Sequence, residues 1–381
     1  MAEFRMPSLG ADMEAGTLVE WLKKSGDRVA RGDIIAVVET QTGAIEIEVF
    51  QAGIIETLLA QPGETLAVGA PMAFIRGADE RAPAPAAAAP VAPPPPRAAP
   101  PRPPEAMAFP PPHGGARASP AARKRAAELG LVIDKLRGSG PGGAVTLADV
   151  ERAPRPAAPG PAKAMRDAIA AAMTRSNREI PHYYLSHTVD LEPALRWLEA
   201  ENAKRSVPDR MLYGALLLKA VARALGDYPE FNGHWLDGVF RPSREIHLGV
   251  AISLSQGGLI APAIHDADRL SLPELMAALR DLVKRARRGG LRSSELSDST
   301  VTVTSLGEQG AETVFPVIYP PQVAMVGFGV VLLRPWVVAG AIEPRRVISA
   351  SLAADHRVSD GHRGALFITA VARRLQEPQA L

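Results

Sequence analysis

The chain has 381 residues, with 43 lysines and arginines against 41 aspartates and glutamates. This length predicts two or three domains, and the balanced charge with only 5% aromatic residues argues against nucleic-acid binding. The absence of cysteine excludes disulfides, thiolate nucleophiles and cysteine-based metal sites. The longest apolar run, Val323–Leu333, is too short to span a bilayer, and no signal peptide is visible. We therefore expect a cytoplasmic protein that is not attached to a membrane.

Two proline-rich stretches separate three pieces of ordinary composition. The stretch Ala82–Pro112 holds 14 of the 36 prolines, and such a composition favours an extended chain. We therefore predict two linkers, 78–118 and 153–163. They separate three folded pieces, 1–77, 119–152 and 164–381.

The first piece contains an internal repeat. Ala15–Leu18 recurs 37 positions later as Ala52–Ile55, and Gly26–Ala30 recurs as Gly63–Ala67 at the same offset. A constant offset with alternating apolar and polar residues predicts two copies of a set of short strands. We expect a small β-sandwich with pseudo-twofold symmetry, in which the hairpin Val38–Val49 joins the copies.

The second piece predicts two short helices. Ser119 precedes a proline and is typical of an N-cap for a helix over Ala121–Leu129, and Thr146 caps the second helix. The glycine-rich loop Gly138–Gly143 lacks the Lys-Ser/Thr ending of a P-loop, so we do not expect it to bind phosphate.

The third piece is long enough for one substantial α/β domain. Helical and strand-like patterns occur without strict alternation, which predicts a mixed sheet with helices packed on it. The predicted helices are Ala164–Asn177, Glu192–Lys204, Leu212–Leu225 and Pro273–Arg287, and the predicted strands are Tyr183–Val189, Ile246–Ser253, Ser299–Thr304, Val323–Val331 and Val347–Ala353.

His356 is the candidate for chemistry. It follows an apolar run that predicts a buried strand, and Asp360 and Gly361 come shortly after it. A histidine held at the end of a core strand suits a general base, although an isolated histidine is more often a hydrogen-bonded core residue. No histidine pair has the H-E-x-x-H spacing, and no metal site is expected.

Together, these motifs resemble the dihydrolipoamide acyltransferases of 2-oxo acid dehydrogenase complexes. The repeat and hairpin resemble a lipoyl domain, and residues 119–152 resemble a peripheral-subunit-binding domain. The segments Ile180–Tyr184, Gly257–Pro262, Val301–Gly307, Pro320–Gln322 and Ala354–Gly361 resemble the catalytic domain of the chloramphenicol-acetyltransferase-like superfamily. The resemblance implies a multidomain fold: a β-sandwich, a small helical domain and an α/β acyltransferase domain.

The resemblance also implies the roles of the site residues. His356 would be the base in acyl transfer between coenzyme A and dihydrolipoamide, and Thr304 would stabilise the oxyanion, with Ser305 as the alternative if the register is one residue off. Asp360 would be a buried carboxylate that pairs with an arginine. The candidate partners are Arg357, Arg178 and Arg166.

The hairpin tip departs from the family pattern. Members carry a lysine there for lipoic acid or biotin, and the matching position in this chain is Thr42, with no lysine between Lys24 and Lys124. Threonine cannot form the amide that attaches lipoate. Natural divergence and an engineered substitution are both open explanations.

The second piece departs from its family as well. Family members bind the 2-oxo acid decarboxylase or the dihydrolipoamide dehydrogenase through clustered arginines, of which Arg123 matches one. Ala127, Ala144 and Asp134 occupy other such positions, so binding through 119–152 is expected to be weakened, and a helical spacer is the alternative. Members also form homotrimers that assemble into larger cores of 24 or 60 chains.

Three functions remain open at this point. The leading one is a catalytic core component of a 2-oxo acid dehydrogenase complex. The others are a divergent assembly component without its own lipoyl arm, and a free-standing acyltransferase that uses coenzyme A and a small acceptor. The sequence does not identify the acyl group.

Overall fold

The computed structural model describes residues 2–7, 15–40, 43–77, 118–128, 131–153, 161–254, 258–305, 307 and 310–381. Thr42, Gly257, Leu306 and most of the two predicted linkers lie outside the described residues. The chain divides into two compact units. One comprises residues 1–80 together with 161–381, and the other comprises residues 81–160.

The N-terminal β-domain, residues 2–77, is a sandwich of two sheets. The first sheet has the strand order β1-β8-β6-β3, and the second has β5-β4-β2-β7 within this domain. The offset of 37 residues carries β4 onto β8, β2 onto β6 and β3 onto β7, so the two sheets are equivalent. The predicted pseudo-twofold sandwich is confirmed. Its strands are β1 Ala2–Arg5, β2 Ala15–Trp21, β3 Arg28–Val29, β4 Ile34–Thr40, β5 Gly43–Glu48, β6 Gly53–Leu58, β7 Thr65–Ala67 and β8 Pro71–Gly77.

The predicted hairpin is formed by β4 and β5. Thr40 pairs with Gly43 at the end of the ladder, and the Thr40 hydroxyl donates to the Gly43 carbonyl at 3.0 Å. Gly43 has a φ of +123°, which favours glycine. In the sequence, Gln41 and Thr42 lie between the paired residues Thr40 and Gly43.

The helical unit, residues 118–153, contains α1 Pro120–Glu128 and α2 Leu147–Arg152. Both predicted N-caps are confirmed, since Ser119 accepts from the Ala122 N–H at 3.2 Å and Thr146 accepts from the Asp149 N–H.

Asp149 also organises the glycine-rich loop. Its carboxylate accepts from the backbone N–H and the hydroxyl of Ser139, at 2.8 and 2.6 Å, and from the same groups of Thr146. These hydrogen bonds hold the pKa of Asp149 well below its usual value. The loop is thus arranged around an internal carboxylate.

The C-terminal domain, residues 161–381, packs helices on one mixed sheet. All four predicted helices are present, and α7 and α8 are additional. The helices are α3 Pro161–Glu179, α4 Glu192–Ala203, α5 Tyr213–Leu225, α6 Leu272–Arg288, α7 Ser293–Ser297 and α8 Gly361–Gln376. In the part of the chain that the structure describes, none of these helices is long and apolar enough to cross a membrane.

The central sheet has the order β15-β12-β17-β18-β20-β19, and β9 pairs with the other side of β20. β17 is parallel to β18, and β18 is antiparallel to β20. The strands of this domain are β9 His182–Asp190, β10 Gly233–Leu236, β11 Val239–Pro242, β12 Leu248–Val250, β13 Ile252–Ser253, β14 Leu259–Ile260, β15 Ala263–Ile264, β16 Leu291–Arg292, β17 Val301–Ser305, β18 Ala324–Phe328, β19 Leu332–Val338 and β20 Ala341–Asp355.

Helix α8 and the long strand β20 form the core next to the candidate site. Phe367 on α8 is fully buried against Phe231, with ring centroids 4.8 Å apart. On the other side, Glu192 at the start of α4 receives two guanidinium hydrogen bonds from Arg346 of β20, at 2.8 and 2.9 Å. These bonds lower the pKa of Glu192 to about 2, so the carboxylate is charged at neutral pH. The ion pair therefore ties β20 to the start of α4.

Three strand predictions differ from the structure. The predicted strand over Ile246–Ser253 is divided into β12 and β13, which belong to different sheets. The predicted strand over Val347–Ala353 is the middle of β20, which extends from Ala341 because it forms a hairpin with β19. The predicted strand over Val323–Val331 ends at Phe328, and Gly329 follows with its N–H donated to Ser349. Apolar periodicity alone cannot separate β18 from β19, because the residues between them are also apolar.

Candidate active site

His356 lies on an exposed turn directly after β20. The turn is built on Asp355, whose carbonyl accepts from the N–H groups of Val358 and Ser359 at 3.0 and 3.1 Å. The His356 N–H donates to the Pro181 carbonyl at 2.9 Å, which ties the turn to the segment before β9. The backbone of His356 is thus fixed while its imidazole faces solvent.

An ion pair between a buried carboxylate and a partly exposed guanidinium lies next to this turn. Asp355 is fully buried, and its carboxylate receives the Arg357 side chain at 2.9, 3.1 and 2.6 Å and the Arg357 N–H at 2.9 Å. The guanidinium carbon of Arg357 lies 4.4 Å from the centroid of the Trp235 ring. The residues on both sides of His356 are therefore locked together.

Tyr183 limits the orientation of the imidazole. Its ring contacts the His356 ring edge-on, with centroids 5.1 Å apart. The Tyr183 hydroxyl is 2.9 Å from the Ser359 hydroxyl, within the same turn. Burial raises the pKa of Tyr183, so the phenol stays protonated at neutral pH. A histidine held in this way, with an open face toward solvent, can take a proton from a substrate.

The expectation that Asp360 is buried and paired with an arginine is wrong. Asp360 is exposed and is the N-cap of α8, where its carboxylate accepts the Arg363 N–H at 2.9 Å. This hydrogen bond lowers the pKa of Asp360. Arg357, one of the suggested partners, binds Asp355 instead. Arg166 and Arg178, the other two, are exposed on α3.

Thr304 lies near the end of β17 and is 9% exposed, whereas Ser305 is exposed. The two side chains point to opposite faces of the sheet, because successive residues alternate along a strand. A threonine hydroxyl in a buried position can supply a directed hydrogen-bond donor.

Thr304 and His356 lie at opposite edges of the sheet of one chain. Thr304 pairs with Gly327 on β18, and Gly327 pairs with Ser351 on β20, five residues before His356. At about 4.8 Å between strands and about 3.3 Å per residue, the two backbones are about 19 Å apart. One chain therefore does not bring the two side chains together.

A cavity of about 390 Å³ opens beside the turn that carries His356. Arg357 and Trp235 line it on one side, and Arg175 and Glu179 of α3 line it on another. The remaining lining residues are Ile180, Asp237, Gly238, Pro320, Pro321 and Gln322, and the Pro320–Pro321 bond is cis.

Sequence reasoning missed the roles of Asp355 and Trp235 and assigned Arg357 to a different carboxylate, Asp360. Asp355, Arg357 and Trp235 form no recognisable spacing, because Trp235 is distant in the chain and an ion pair two residues apart has no periodic signal. The N-cap role of Asp360 had a signal, since an aspartate before a glycine and a helical segment is typical of a helix start.

Family models match all three parts of the chain. The catalytic domain of the 2-oxoacid dehydrogenases acyltransferase family matches residues 156–381, the biotin-requiring enzyme model matches residues 2–75, and the e3 binding domain matches residues 116–151. The first of these matches covers more than half of the chain.

Similar proteins extend over the same parts. The chain is 32% identical to the dihydrolipoyllysine-residue acetyltransferase component of the acetoin cleaving system of Bacillus subtilis, over 99% of this chain and 98% of that protein. It is 35% identical to the lipoamide acyltransferase component of the branched-chain alpha-keto acid dehydrogenase complex of Pseudomonas aeruginosa, over 99% and 98%.

Among solved structures, the dihydrolipoamide acetyltransferase of Azotobacter vinelandii is similar with a TM-score of 0.54 and 27% identity, over 57% of this chain and 90% of that one. That structure was studied for the role of a serine, a histidine and an asparagine in its catalytic mechanism.

We predict that Arg357→Ala lowers the free energy of unfolding by about 1–3 kcal/mol, because it leaves the buried Asp355 carboxylate without its partly exposed cation. Denaturant unfolding measures the change. Arg363→Ala is the matched control, since Arg363 pairs with Glu230 with 43% of its side chain exposed, and it should destabilise the fold much less than Arg357→Ala. Equal losses in the two variants would contradict this account of the turn.

Proposed function

This chain belongs to the 2-oxo acid dehydrogenase acyltransferase family, and we propose that His356 and Thr304, supplied by two copies of the chain, carry its transfer of acyl groups between coenzyme A and dihydrolipoamide. The observation that carries the proposal is the placement of the two residues at opposite edges of one sheet. A site that uses both residues must form between neighbouring copies.

His356 transfers the proton in this reaction. A free thiol has a pKa of about 8.5 and is mostly protonated at neutral pH, so attack needs a base. The imidazole takes the thiol proton, and the sulfur attacks the thioester carbonyl to form a tetrahedral intermediate. When the intermediate collapses, the bond to the other sulfur breaks, and the imidazolium returns the proton to that leaving thiolate.

Thr304 of the neighbouring copy stabilises the negatively charged oxygen of the intermediate. A hydroxyl donor aimed at this oxygen stabilises the transition state more than the ground state. The spacing in the Azotobacter vinelandii protein supports the pairing, since its named serine precedes its histidine by 52 positions and its asparagine follows by four. Thr304 precedes His356 by 52 positions in this chain, and Asp360 follows by four.

In the proposed mechanism, Asp360 helps to position His356. Its carboxylate starts α8 and closes the turn that carries His356, so it is a positioning residue that does not relay a proton. An asparagine at the same place can accept the same backbone hydrogen bond, which agrees with the asparagine named in the Azotobacter vinelandii protein.

A homotrimer that assembles into a larger core suits the exposed surface of the C-terminal domain. The hairpin of β19 and β20 carries three apolar side chains, of Leu333, Val337 and Ile342, that are 69–77% exposed. Exposed apolar residues grouped on one hairpin are typical of an interface between chains.

The e3 binding domain implies binding of the dihydrolipoamide dehydrogenase component through the helical unit. Arg123, Lys124, Lys135 and Arg137 are exposed on this unit and supply a basic surface. Binding of the decarboxylase component, and a weakened affinity caused by Ala127 and Ala144, belong to the same proposal. We further propose the domain division 1–77, 119–152 and 164–381, with linkers 78–118 and 153–163.

The N-terminal β-domain keeps the hairpin of a lipoyl domain, and Thr42 takes the place of the lysine at its tip. The pairing of Thr40 with Gly43 supports this alignment, because Gln41 and Thr42 lie between them in the sequence. The chain would then carry no lipoate of its own and would act on dihydrolipoamide from another source.

We predict that His356→Ala abolishes acyl transfer to free dihydrolipoamide while the fold is kept. A panel of acetyl-, succinyl- and branched-chain acyl-CoA donors measures turnover and also identifies the acyl group. His362→Ala is the matched control, since His362 is an exposed histidine at the start of α8, and should keep wild-type turnover. Near-normal turnover of the His356 variant would show that this histidine is only structural.

We predict that Thr304→Val lowers kcat by about 10²–10³-fold, because valine keeps the shape but lacks the donor. KM for coenzyme A should change little, and Thr304→Ser should retain much of the activity. Steady-state kinetics on these variants and on Ser305→Ala provide the measurement. If Ser305→Ala is impaired and Thr304→Val is normal, the oxyanion donor is Ser305. If both variants are normal, neither hydroxyl stabilises the oxyanion and the assignment is refuted.

We predict that the chain stays unmodified when it is expressed with a lipoate ligase, and that Thr42→Lys gains one lipoyl group. Intact-mass spectrometry provides the measurement. Gln41→Lys is the control, since it places the amine one residue from the predicted position and should be modified far less. A lipoyl adduct on the unaltered chain would contradict the assignment of Thr42.

A further inference from the structure

The N-terminal β-domain and the C-terminal domain share a sheet. Strand β16 adds to the outer edge of β5 in a parallel arrangement, with Leu291 opposite Ile45 and Arg292 opposite Glu46. The Gly290 N–H donates to the Ala44 carbonyl at 3.3 Å. The sheet of the β-domain thereby becomes five-stranded, in the order β16-β5-β4-β2-β7. Strand addition of this kind is a recurring way to bind a partner at an open sheet edge.

A buried carboxylate lies at the end of this contact. Glu48 is 5% exposed, and its carboxylate accepts from the Ser294 hydroxyl. The Glu48 N–H donates to the Ser293 hydroxyl at 3.2 Å, and the Arg292 guanidinium lies 3.7 Å from the carboxylate. Burial of a carboxylate is unfavourable unless it has such partners. The C-terminal domain supplies all of these partners, so the two surfaces are complementary in charge.

Hydrogen bonds within the C-terminal domain fix the conformation of the surface that contacts β5. Glu295 is buried and accepts from Arg285 at 2.6 and 2.5 Å, and it also accepts the Arg292 N–H at 2.8 Å. This pair joins α6 to the start of α7 and fixes β16 between them. Leu296 on α7 contacts the apolar cores of both domains. A preformed surface binds with a smaller entropic loss than a flexible one.

We propose that the N-terminal β-domain is docked on the C-terminal domain of its own chain through β5 and Glu48, and that it acts there as a fixed domain that does not travel between active sites. A travelling carrier must leave each surface easily, whereas departure here breaks the strand pairing and separates Glu48 from its partners. The acyl-accepting dithiol would then come from another molecule. This docking goes beyond the proposed function and holds whatever the roles of His356, Thr304 and Thr42.

A disulfide trap tests the docking in the full-length protein. The chain has no cysteine, so the pair Glu46→Cys and Arg292→Cys introduces the only two thiols. These positions are register partners, about 4.8 Å apart between neighbouring strands, which lies within the Cα separation that a disulfide spans. Neither residue is buried, so both substitutions should be tolerated.

The control pair is Glu20→Cys and Arg292→Cys. Glu20 is exposed on β2, three strands from β16, which places it about 14 Å away. If the β-domain moved freely, the two cysteines of either pair would meet by random collision, and both disulfides would form at similar rates. A docked domain should form the 46–292 disulfide at least about tenfold faster than the 20–292 disulfide.

The rate of thiol loss under mild oxidation is measured without any substrate, so its outcome does not depend on acyl transfer. Non-reducing gels and peptide mass mapping identify the bond formed. A fast 46–292 bond within one chain supports the docking. Equal rates for the two pairs would overturn it, and crosslinked dimers would overturn the assignment to the same chain.

Discussion

The antiparallel pairing of β18 with β20 is the constraint on which the function of the C-terminal domain depends. β17 and β18 run in one direction and β20 in the other, so their carboxyl ends lie at opposite edges of the sheet. Thr304 lies near the carboxyl end of β17, and His356 directly follows β20. If His356 is the base and Thr304 the oxyanion donor, as proposed, a site that uses both would take them from two chains, and assembly would be a condition of catalysis.

Within one chain, the charged groups around His356 fix its position and leave its imidazole exposed to solvent. Asp355 is buried and neutralised by Arg357, which stacks on Trp235, and Asp360 starts α8 on the other side. The imidazole lies between these anchors and contacts Tyr183 with its edge. Preorganisation of this kind lowers the cost of orienting the base at the moment of reaction.

Much of the fold was predictable because its signals are local or repeated. The 37-residue offset predicted the sandwich, and Ser119 and Thr146 were identified as helix caps from their neighbours. The incorrect prediction for Asp360 arose because a carboxylate near a candidate base suggested an ion pair, whereas the structure uses it to start a helix. The pair of Asp355 and Arg357 depends on burial at a strand end, which no spacing in the sequence reports.

The contact between the two domains was also beyond sequence reasoning. The segment Gly290–Arg292 has no strand pattern of its own, since it is two residues of strand after a glycine pair, and it becomes a strand only against β5. Glu48 is one of three glutamates on the hairpin, with Glu39 and Glu46, and its burial depends on Ser293 and Ser294, far away in the chain. Long-range pairings of this kind leave no periodic signal.

Complementation between two inactive variants tests the central claim most directly. His356→Ala and Thr304→Val are co-expressed with different tags, and the mixed oligomers are purified and assayed with free dihydrolipoamide. If each site takes its histidine from one chain and its threonine from the next, about a quarter of the sites in randomly mixed, head-to-tail assemblies carry both residues. The account predicts activity near a quarter of wild type, well above either variant alone. Activity no higher than that of the two variants would contradict a site shared between chains.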